Sequence, residues 1–330
     1  MRTLRFHGYG QARDVLRLED AEPPRPGPSQ IRVAVQNCAL NPADWALCTG
    51  LFAGDLPRGI GLQVSGTVDL VGDTVTGVAI GDPVFGPAPF TGSTAGASEH
   101  AVLNTWFPRP PGLDPVHAAA LPMAVMTASH GLDGLGVHGG ETVLVHGAGS
   151  TVGYAAVQMA VQRGARVIAT AGQTYAAALR KAGAEVTDYG DGMIERVRDI
   201  AGGPVDLALD TAPISNALPS LVKTVKAPEN VLTLSDFAAA EKLGVRYQFD
   251  EDGQASHDML GGYAQLASES RFTVPVACTF ALEDWRMAAE LSQSGRARGK
   301  LVLEIGQERC IDKRRRPCVP RAVRRGPATG

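Results

Sequence analysis

The chain has 330 residues, 44% hydrophobic and 20% charged, with a formal net charge of −3. This is an ordinary soluble composition, and the length predicts about two domains with full cores. No stretch approaches the ~20 uncharged apolar residues a membrane span requires, and MRTLRFHGYG at the N-terminus has no secretory h-region.

Five scattered cysteines (Cys38, Cys48, Cys278, Cys310, Cys318) contain no C-x-x-C and read as reduced thiols in a cytoplasmic protein. The charge is unevenly placed: residues 306–330 hold eight Lys/Arg and two acids, a net +6 that leaves −9 on the body. That tail, with KRRRP at 313–317 and RAVRRGPATG after it, cannot make a core and is expected to be disordered. Basic clusters neutralise phosphates, but the acidic body and the lack of interleaved aromatics favour a solvated tail over nucleic-acid binding.

In chain order, residues 2–22 alternate apolar and polar positions and predict a β-hairpin. Pro23–Pro28 is neither helix nor central strand, so it is a surface connection. Ile31–Val35 is a strand. Cys38–Trp45 is a loop entering a short helix at Pro42 or Ala43, with Asn41 as N-cap. Residues 59–86 are a glycine- and valine-rich run broken by Gly-Asp turns, which predicts a small, strongly bent β-barrel. Ala97–Leu103 adds a strand. After PRPPGLDP at 108–115, one helix runs from Asp114 or Pro115 to Ala120 and another from Pro122-Met123 to Leu132.

The next segment organises the chain. Val143–His146 is a buried strand, followed at once by Gly147-Ala148-Gly149-Ser150-Thr151-Val152-Gly153. Val152, Ala155, Ala156, Met159, Ala160 and Arg163 then recur at helical spacing, and Arg166–Thr170 is a second strand. Such a βαβ unit has the length of a dinucleotide fingerprint. Gly147 suits the tight turn, Gly149 lets backbone approach a pyrophosphate, and Gly153 lets helix lie close on strand. The spacing is G-x-G-x-x-x-G, one residue longer than the usual form. Helices at 175–182, 191–201 and 215–225 alternate with strands Glu185–Tyr189, Val205–Asp210, Asn230–Leu234 and Val245–Phe249. That alternation predicts an α/β fold with a doubly wound parallel sheet. Helix 258–271, strand Thr273–Cys278, helix Glu283–Gly295 and strand Lys300–Ile305 follow.

Seven segments in register resemble the zinc-independent quinone oxidoreductase (zeta-crystallin-like) branch of the medium-chain dehydrogenase/reductase superfamily. They are NPADW (41–45), GLQVSGTVDLVGDTVTGVAIGDPVFG (61–86), MTASHGL (126–132), VLVHGAGSTVG (143–153), GARVIATAG (164–172), VDLALD (205–210) and RGKLVLEI (298–305). The resemblance implies a GroES-like β-barrel domain from residues 1–122 and 258–305. A Rossmann domain, 123–257, is inserted in it, and the tail 306–330 lies outside. It also implies a homodimer, or a tetramer, joined through the Rossmann sheet, and a cofactor and substrate held between the domains.

By the same resemblance, Asn41 and Thr127 stand near nicotinamide and substrate, and Trp45 near the cleft. Asn41 is expected to donate an N–H to the acceptor oxygen or to serve only as a helix cap. Thr127 contacts the carboxamide or bonds its own helix, and Trp45 lines the cleft or packs in the core. The cofactor residues so implied are Gly147, Ala148, Gly149, Ser150, Thr151, Val152, Gly153, Thr170, Gly172, Gln173, Tyr189 and Lys300. Gln63 and Ser150 depart from the family's usual acid and glycine. Zinc-dependent relatives carry Cys and Gly-His-Glu where this chain has Asn41-Pro42-Ala43-Asp44 and Gly61–Gly66, so no metal site is expected.

The end of the second strand unit, Thr170-Ala171-Gly172-Gln173, carries no acid to accept from a ribose 2′-OH, which points to NADPH. The function expected is zinc-free hydride transfer from NADPH to a quinone or an α,β-unsaturated carbonyl. A zinc-independent alcohol or aldehyde reductase and a cofactor-bound binding or structural protein remain as alternatives.

Overall fold

The computed structural model describes residues 1–213, 215–247 and 258–306. The expected tail after residue 306 and residues 248–249 of the strand read at 245–249 lie outside them.

The N-terminal hairpin forms as expected: β1 (Arg2–Phe6) pairs antiparallel with β2 (Leu16–Asp20), and the turn between them holds the short helix α1 (Ala12–Val15). Next come β3 (Ile31–Leu40), α2 (Pro42–Cys48), β4 (Arg58–Gly59), β5 (Gln63–Val71), β6 (Pro83–Pro87), β7 (His100–Leu103) and β8 (Phe107–Pro108). The strand read at 97–103 begins at His100. Ala97 and Ser98 are instead tied sideways, Ala97 to Leu4 and Ile60 and Ser98 to Thr3. β3 and β5 are the spine, paired antiparallel with register shifts at Arg32/Val33 and Val35/Asn37 that bend the sheet.

The two helices read on either side of Pro122 are one, α3 (Pro115–Leu135), with the proline inside it. Asp114 caps it by accepting from Val116 and His117, and Gly136 ends it at φ 73°. Proline removes one helical N–H and crowds the preceding turn. The chain continues because its apolar residues are buried nearly all round, between barrel and Rossmann layers.

Alternation then holds through β9 (Thr142–His146), α4 (Thr151–Gln162), β10 (Arg166–Thr170), α5 (Gln173–Lys181), β11 (Glu185–Thr187) and α6 (Met193–Ala201). It goes on with β12 (Leu207–Asp210), α7 (Leu218–Val222), β13 (Val231–Thr233), α8 (Phe237–Leu243) and β14 (Arg246–Tyr247). The six strands are parallel in the order β11-β10-β9-β12-β13-β14. Strand order reverses between β9 and β12, which opens the crevice in which such sheets take ligands.

After α9 (Met259–Ser268), the chain returns to the barrel with β15 (Val276–Ala281), α10 (Trp285–Gln293) and β16 (Lys300–Glu304). The strand read at 273–278 starts three residues later, because Thr273 spends its backbone on α4. Its N–H donates to Gln158 Oε1 at 3.0 Å and its carbonyl accepts from Nε2 at 2.8 Å. β16 pairs antiparallel with β3, placing Leu301 opposite Leu40. β15 and β16 thus join β3, β5, β6, β7 and β8 in one seven-stranded sheet, beside the three-stranded sheet β2-β1-β4. Cys38 and Cys48 are free and buried, and Cys310 and Cys318 of the reading of five reduced thiols lie outside the described residues. No helix among the described residues is long and apolar enough to cross a membrane.

Candidate active site

The glycine turn sits at the switch point, and its three glycines meet different surroundings. Gly147 has φ 75°, and a Cβ there would stand 2.6 Å from Ala212 N. A Cβ on Gly153 would meet Thr211 Oγ1 at 2.4 Å and Gly147 O at 2.5 Å. On Gly149 the nearest neighbour would be Tyr175 Cδ2 at 3.9 Å, an ordinary van der Waals contact, so packing does not demand glycine there. Two of the three glycines are therefore demanded by protein packing. Ser150 caps α4 by accepting from Gly153 N–H at 2.9 Å, while Thr151 and Val152 begin the helix. The first-turn amides have no intrahelical acceptor and carry the positive end of the helix dipole. This cradle fits a dinucleotide pyrophosphate.

Ala148 and Thr170 lie behind the turn. Both are fully buried, and Thr170 Oγ1 accepts from Gly147 N–H at 3.1 Å and bonds His146 Nδ1 at 2.8 Å. Burial pushes the His146 imidazole down to about 4, so it is neutral. Gly172 is the N-cap of α5 and faces Tyr189, whose Oη would lie 3.8 Å from a Cβ at 172. Gln173 opens α5 at the surface beside it. Tyr189 rides on a loop clamped by Arg196, which donates to Thr187 Oγ1 at 3.1 Å, Asp188 O at 2.9 Å and Asp191 O at 2.8 Å. A cavity of about 450 Å³ opens there, lined by His146, Tyr189, Met193, Ser215, Asn216 and Ser220.

On the barrel side, Asn41, Gln63 and Lys300 meet, drawn from the end of β3, the start of β5 and the start of β16. All three are buried. Asn41 Oδ1 accepts from Gln63 Nε2 at 3.2 Å and from the Lys300 ammonium. Gln63 Oε1 accepts from Met123 N–H at 2.9 Å, a donor just past Pro122 in α3. Thr127 lies one helical turn beyond Met123 on the same face and is half-buried. Below the cluster, fully buried Asp44 accepts from the N–H groups of Asn41 and Gly61, each at 2.7 Å. Burial raises its carboxyl to about 6 and lowers Lys300 to about 8, with each charge partly offsetting the effect on the other.

The structure thus brings Asn41 and Lys300 together with Gln63 in the barrel, and places the glycine turn between β9 and α4 of the Rossmann sheet. Trp45 is a core residue, its indole N–H donating to Ser292 Oγ at 2.8 Å. Sequence reasoning noted Gln63 only as a departure and passed over Asp44 and Arg196. The Asn41-Pro42-Ala43-Asp44 spacing, a cap with an acid three residues on, was the available signal for Asp44.

A six-stranded parallel Rossmann sheet and a GroES-like barrel in one chain, with a glycine-turn phosphate cradle after the first Rossmann strand, define the medium-chain dehydrogenase/reductase fold. Residues 27–107 match the alcohol dehydrogenase GroES-like domain, and residues 182–303 match the zinc-binding dehydrogenase domain. The spectinabilin polyketide synthase system protein NorB of Streptomyces orinoci is 32% identical over 301 residues, covering 87% of this chain and 14% of that protein. This chain therefore spans about a seventh of that relative. The quinone oxidoreductase of Pseudomonas aeruginosa is 34% identical over 209 residues, 61% of this chain and 63% of that one. The solved quinone oxidoreductase from Coxiella burnetii superposes with a TM-score of 0.77 at 27% identity, covering 93% of this chain and 99% of that one. The chain belongs to the medium-chain dehydrogenase/reductase superfamily, in its quinone oxidoreductase branch.

Zinc, which the second domain description carries, does not fit the donors present. Asn41 Oδ1 faces an ammonium, Gln63 Oε1 is taken by α3, and both Asp44 oxygens are taken by backbone N–H groups. Burial holds the Cys38 thiol well above its usual range, and among the described residues no three His, Cys, Asp or Glu side chains cluster to hold a metal.

Proposed function

We propose that this chain is a zinc-independent, NADPH-dependent reductase of activated carbonyl compounds, quinones or α,β-unsaturated carbonyls. The observation that carries the reading is the buried Asn41–Gln63 pair, joined by Lys300, in the two segments where zinc-dependent relatives place metal ligands. Without a Lewis acid, an unactivated alcohol or aldehyde is a poor substrate, whereas a conjugated acceptor needs only alignment and a hydrogen-bond donor. The bound nicotinamide supplies the hydride. Gly147–Gly153 hold the pyrophosphate, Gly172, Gln173 and Tyr189 surround the 2′-phosphate, and Asn41 and Thr127 face nicotinamide and acceptor. The absence of an acid after β10 supports NADPH over NADH.

The likeness to a polyketide synthase protein covers more of the chain than that to the Pseudomonas quinone oxidoreductase, so a thioester enone belongs in the test beside a quinone. NADPH oxidation is measured with 1,4-benzoquinone, an enone thioester and an aldehyde, before and after EDTA dialysis. Turnover of either conjugated acceptor, unchanged by EDTA, is expected. Zinc-restored activity, or turnover of the aldehyde alone, would overturn the reading.

A further inference from the structure

The loop that leaves β11, Thr187-Asp188-Tyr189-Gly190-Asp191-Gly192, is tied by one side chain of the helix that follows it. Arg196 places its guanidinium nitrogens on separate acceptors: Nε donates to Thr187 Oγ1 at 3.1 Å, Nη2 to Asp188 O at 2.9 Å and Nη1 to Asp191 O at 2.8 Å. Each acceptor is a hydroxyl or a carbonyl oxygen, none a carboxylate. The contact is therefore a planar fork fitted to a curve of backbone, which a lysine cannot reproduce. Gly190 and Gly192 sit at φ 81° and 72°, and a Cβ on Gly192 would stand 2.8 Å from Arg196 Nη1. Such glycines give an untied loop many conformations, and selecting one of them costs entropy.

The helix itself does not ask for arginine at 196. Met193 and Val197 anchor α6, both buried in a core cluster with Leu144 and Ile168 of the sheet. A cation near the positive end of a helix gains nothing from the dipole. What the clamp fixes is the place of Tyr189. That ring is 60% exposed, yet its Oη would lie 3.8 Å from a Cβ at Gly172. The same loop walls the cavity of about 450 Å³ that His146, Asn216 and Ser220 also line.

We propose that Arg196 is a positioning residue for the cofactor: it holds the Tyr189 loop in its binding shape before NADPH arrives, so that Tyr189 meets the 2′-phosphate at no ordering cost. The inference rests on the cofactor reading above and adds the group that acts behind Tyr189. Arg196 touches neither cofactor nor acceptor. Because hydride leaves from the opposite end of the cofactor, Arg196 acts on binding rather than on the chemical step.

The test is a double-mutant cycle on NADPH affinity, read by fluorescence titration of the unsubstituted protein, R196M, Y189A and the pair. R196M should weaken NADPH by about tenfold, the loss when the binding-competent loop is populated about a tenth of the time. The pair should lose no more than the worse single variant, because Arg196 acts through Tyr189. R196K, which keeps the charge and loses the fork, should resemble R196M. In steady-state reduction the loss in kcat/KM should fall on KM for NADPH. In the cofactor-free protein, amide hydrogen exchange of residues 188–192 should quicken in R196M while that of β9 and β10 stays as it was. T187V, which removes one acceptor and keeps the side-chain shape, carries the same cycle if R196M fails to fold. Losses that add in the pair, affinity unchanged by R196M, or full rescue by R196K overturns the inference and leaves the cofactor reading standing. Failure of the unsubstituted protein to bind NADPH overturns both.

Discussion

Introducing aspartate at Gly172 should reverse the cofactor preference. Gly172 sits at φ −74° and ψ 171°, an ordinary extended N-cap, and a Cβ there meets nothing nearer than Tyr189 Oη at 3.8 Å. Aspartate is therefore accommodated without strain and is a good N-cap for α5, so stability should not fall. A carboxylate about 5 Å from a phosphate of charge near −2 is repelled by about 1.5 kcal/mol even at the dielectric of water. A hydrogen bond from the ribose 2′-OH of NADH to that carboxylate contributes about 1.5–3 kcal/mol in the other direction. The two add to roughly 3–4.5 kcal/mol, a swing on the order of 150-fold to 2,000-fold in relative kcat/KM. The parent should prefer NADPH by about tenfold to a hundredfold, since only neutral donors are at hand, so G172D should prefer NADH. Both ratios are read from steady-state oxidation of each cofactor with one acceptor. A ratio that G172D leaves unchanged would show that the 2′-substituent lies elsewhere.

The glycine turn should separate packing from binding: G153A, whose methyl runs into Thr211 Oγ1, should lose about 1–3 kcal/mol by thermal unfolding. G149A should melt normally yet bind NADPH more weakly in a fluorescence titration. His146 is held at about 4 against 6.5 when unfolded, so the unfolded chain takes up a proton first and stability falls between pH 6.5 and 4. The full effect is about 3 kcal/mol, and H146N should lack it; Asp44 and Asp210, raised to about 6, act oppositely, so the difference between the two melting curves is the readout. Lys300, lowered to about 8 from 10.5, releases its proton earlier in the fold, so stability rises from pH 8 to 10.5 in the parent and not in K300M.

Most of the fold was legible because it is written locally. Val143–His146, the glycines and the alanine-rich α4 are contiguous, and each announces its neighbour. The errors arose where a distant partner overrides the local signal. Pro122 reads as a helix end, yet burial on all sides carries α3 through it and frees Met123 N–H for Gln63, 60 residues away. Thr273 reads as strand, yet Gln158 takes its backbone from 115 residues away. The polar cluster was the least legible part. Asn41 and Lys300 are separated by 259 positions, and no periodicity or spacing ties them together. Gln63 signalled only by being an amide in an otherwise apolar and small run.

The energetics of that cluster argue against a structural origin for it. A buried ammonium with one neutral acceptor loses its hydration and regains little, and a well-packed apolar side chain of similar length in its place is generally neutral or stabilising. The sheet has no need of it: Leu301, Val302 and Leu303 follow in β16, all buried, and their pairing with Leu40, Ala39 and Cys38 already fixes the register. Asp44 does not repay the cost by direct pairing, because both its oxygens are held by backbone N–H groups. It acts on Lys300 only through space, enough to keep the ammonium charged up to about pH 8 without neutralising it in a salt bridge. A buried ammonium donating to Asn41 Oδ1 is costly for folding, and departures of this kind from apolar packing collect at functional sites rather than in plain cores.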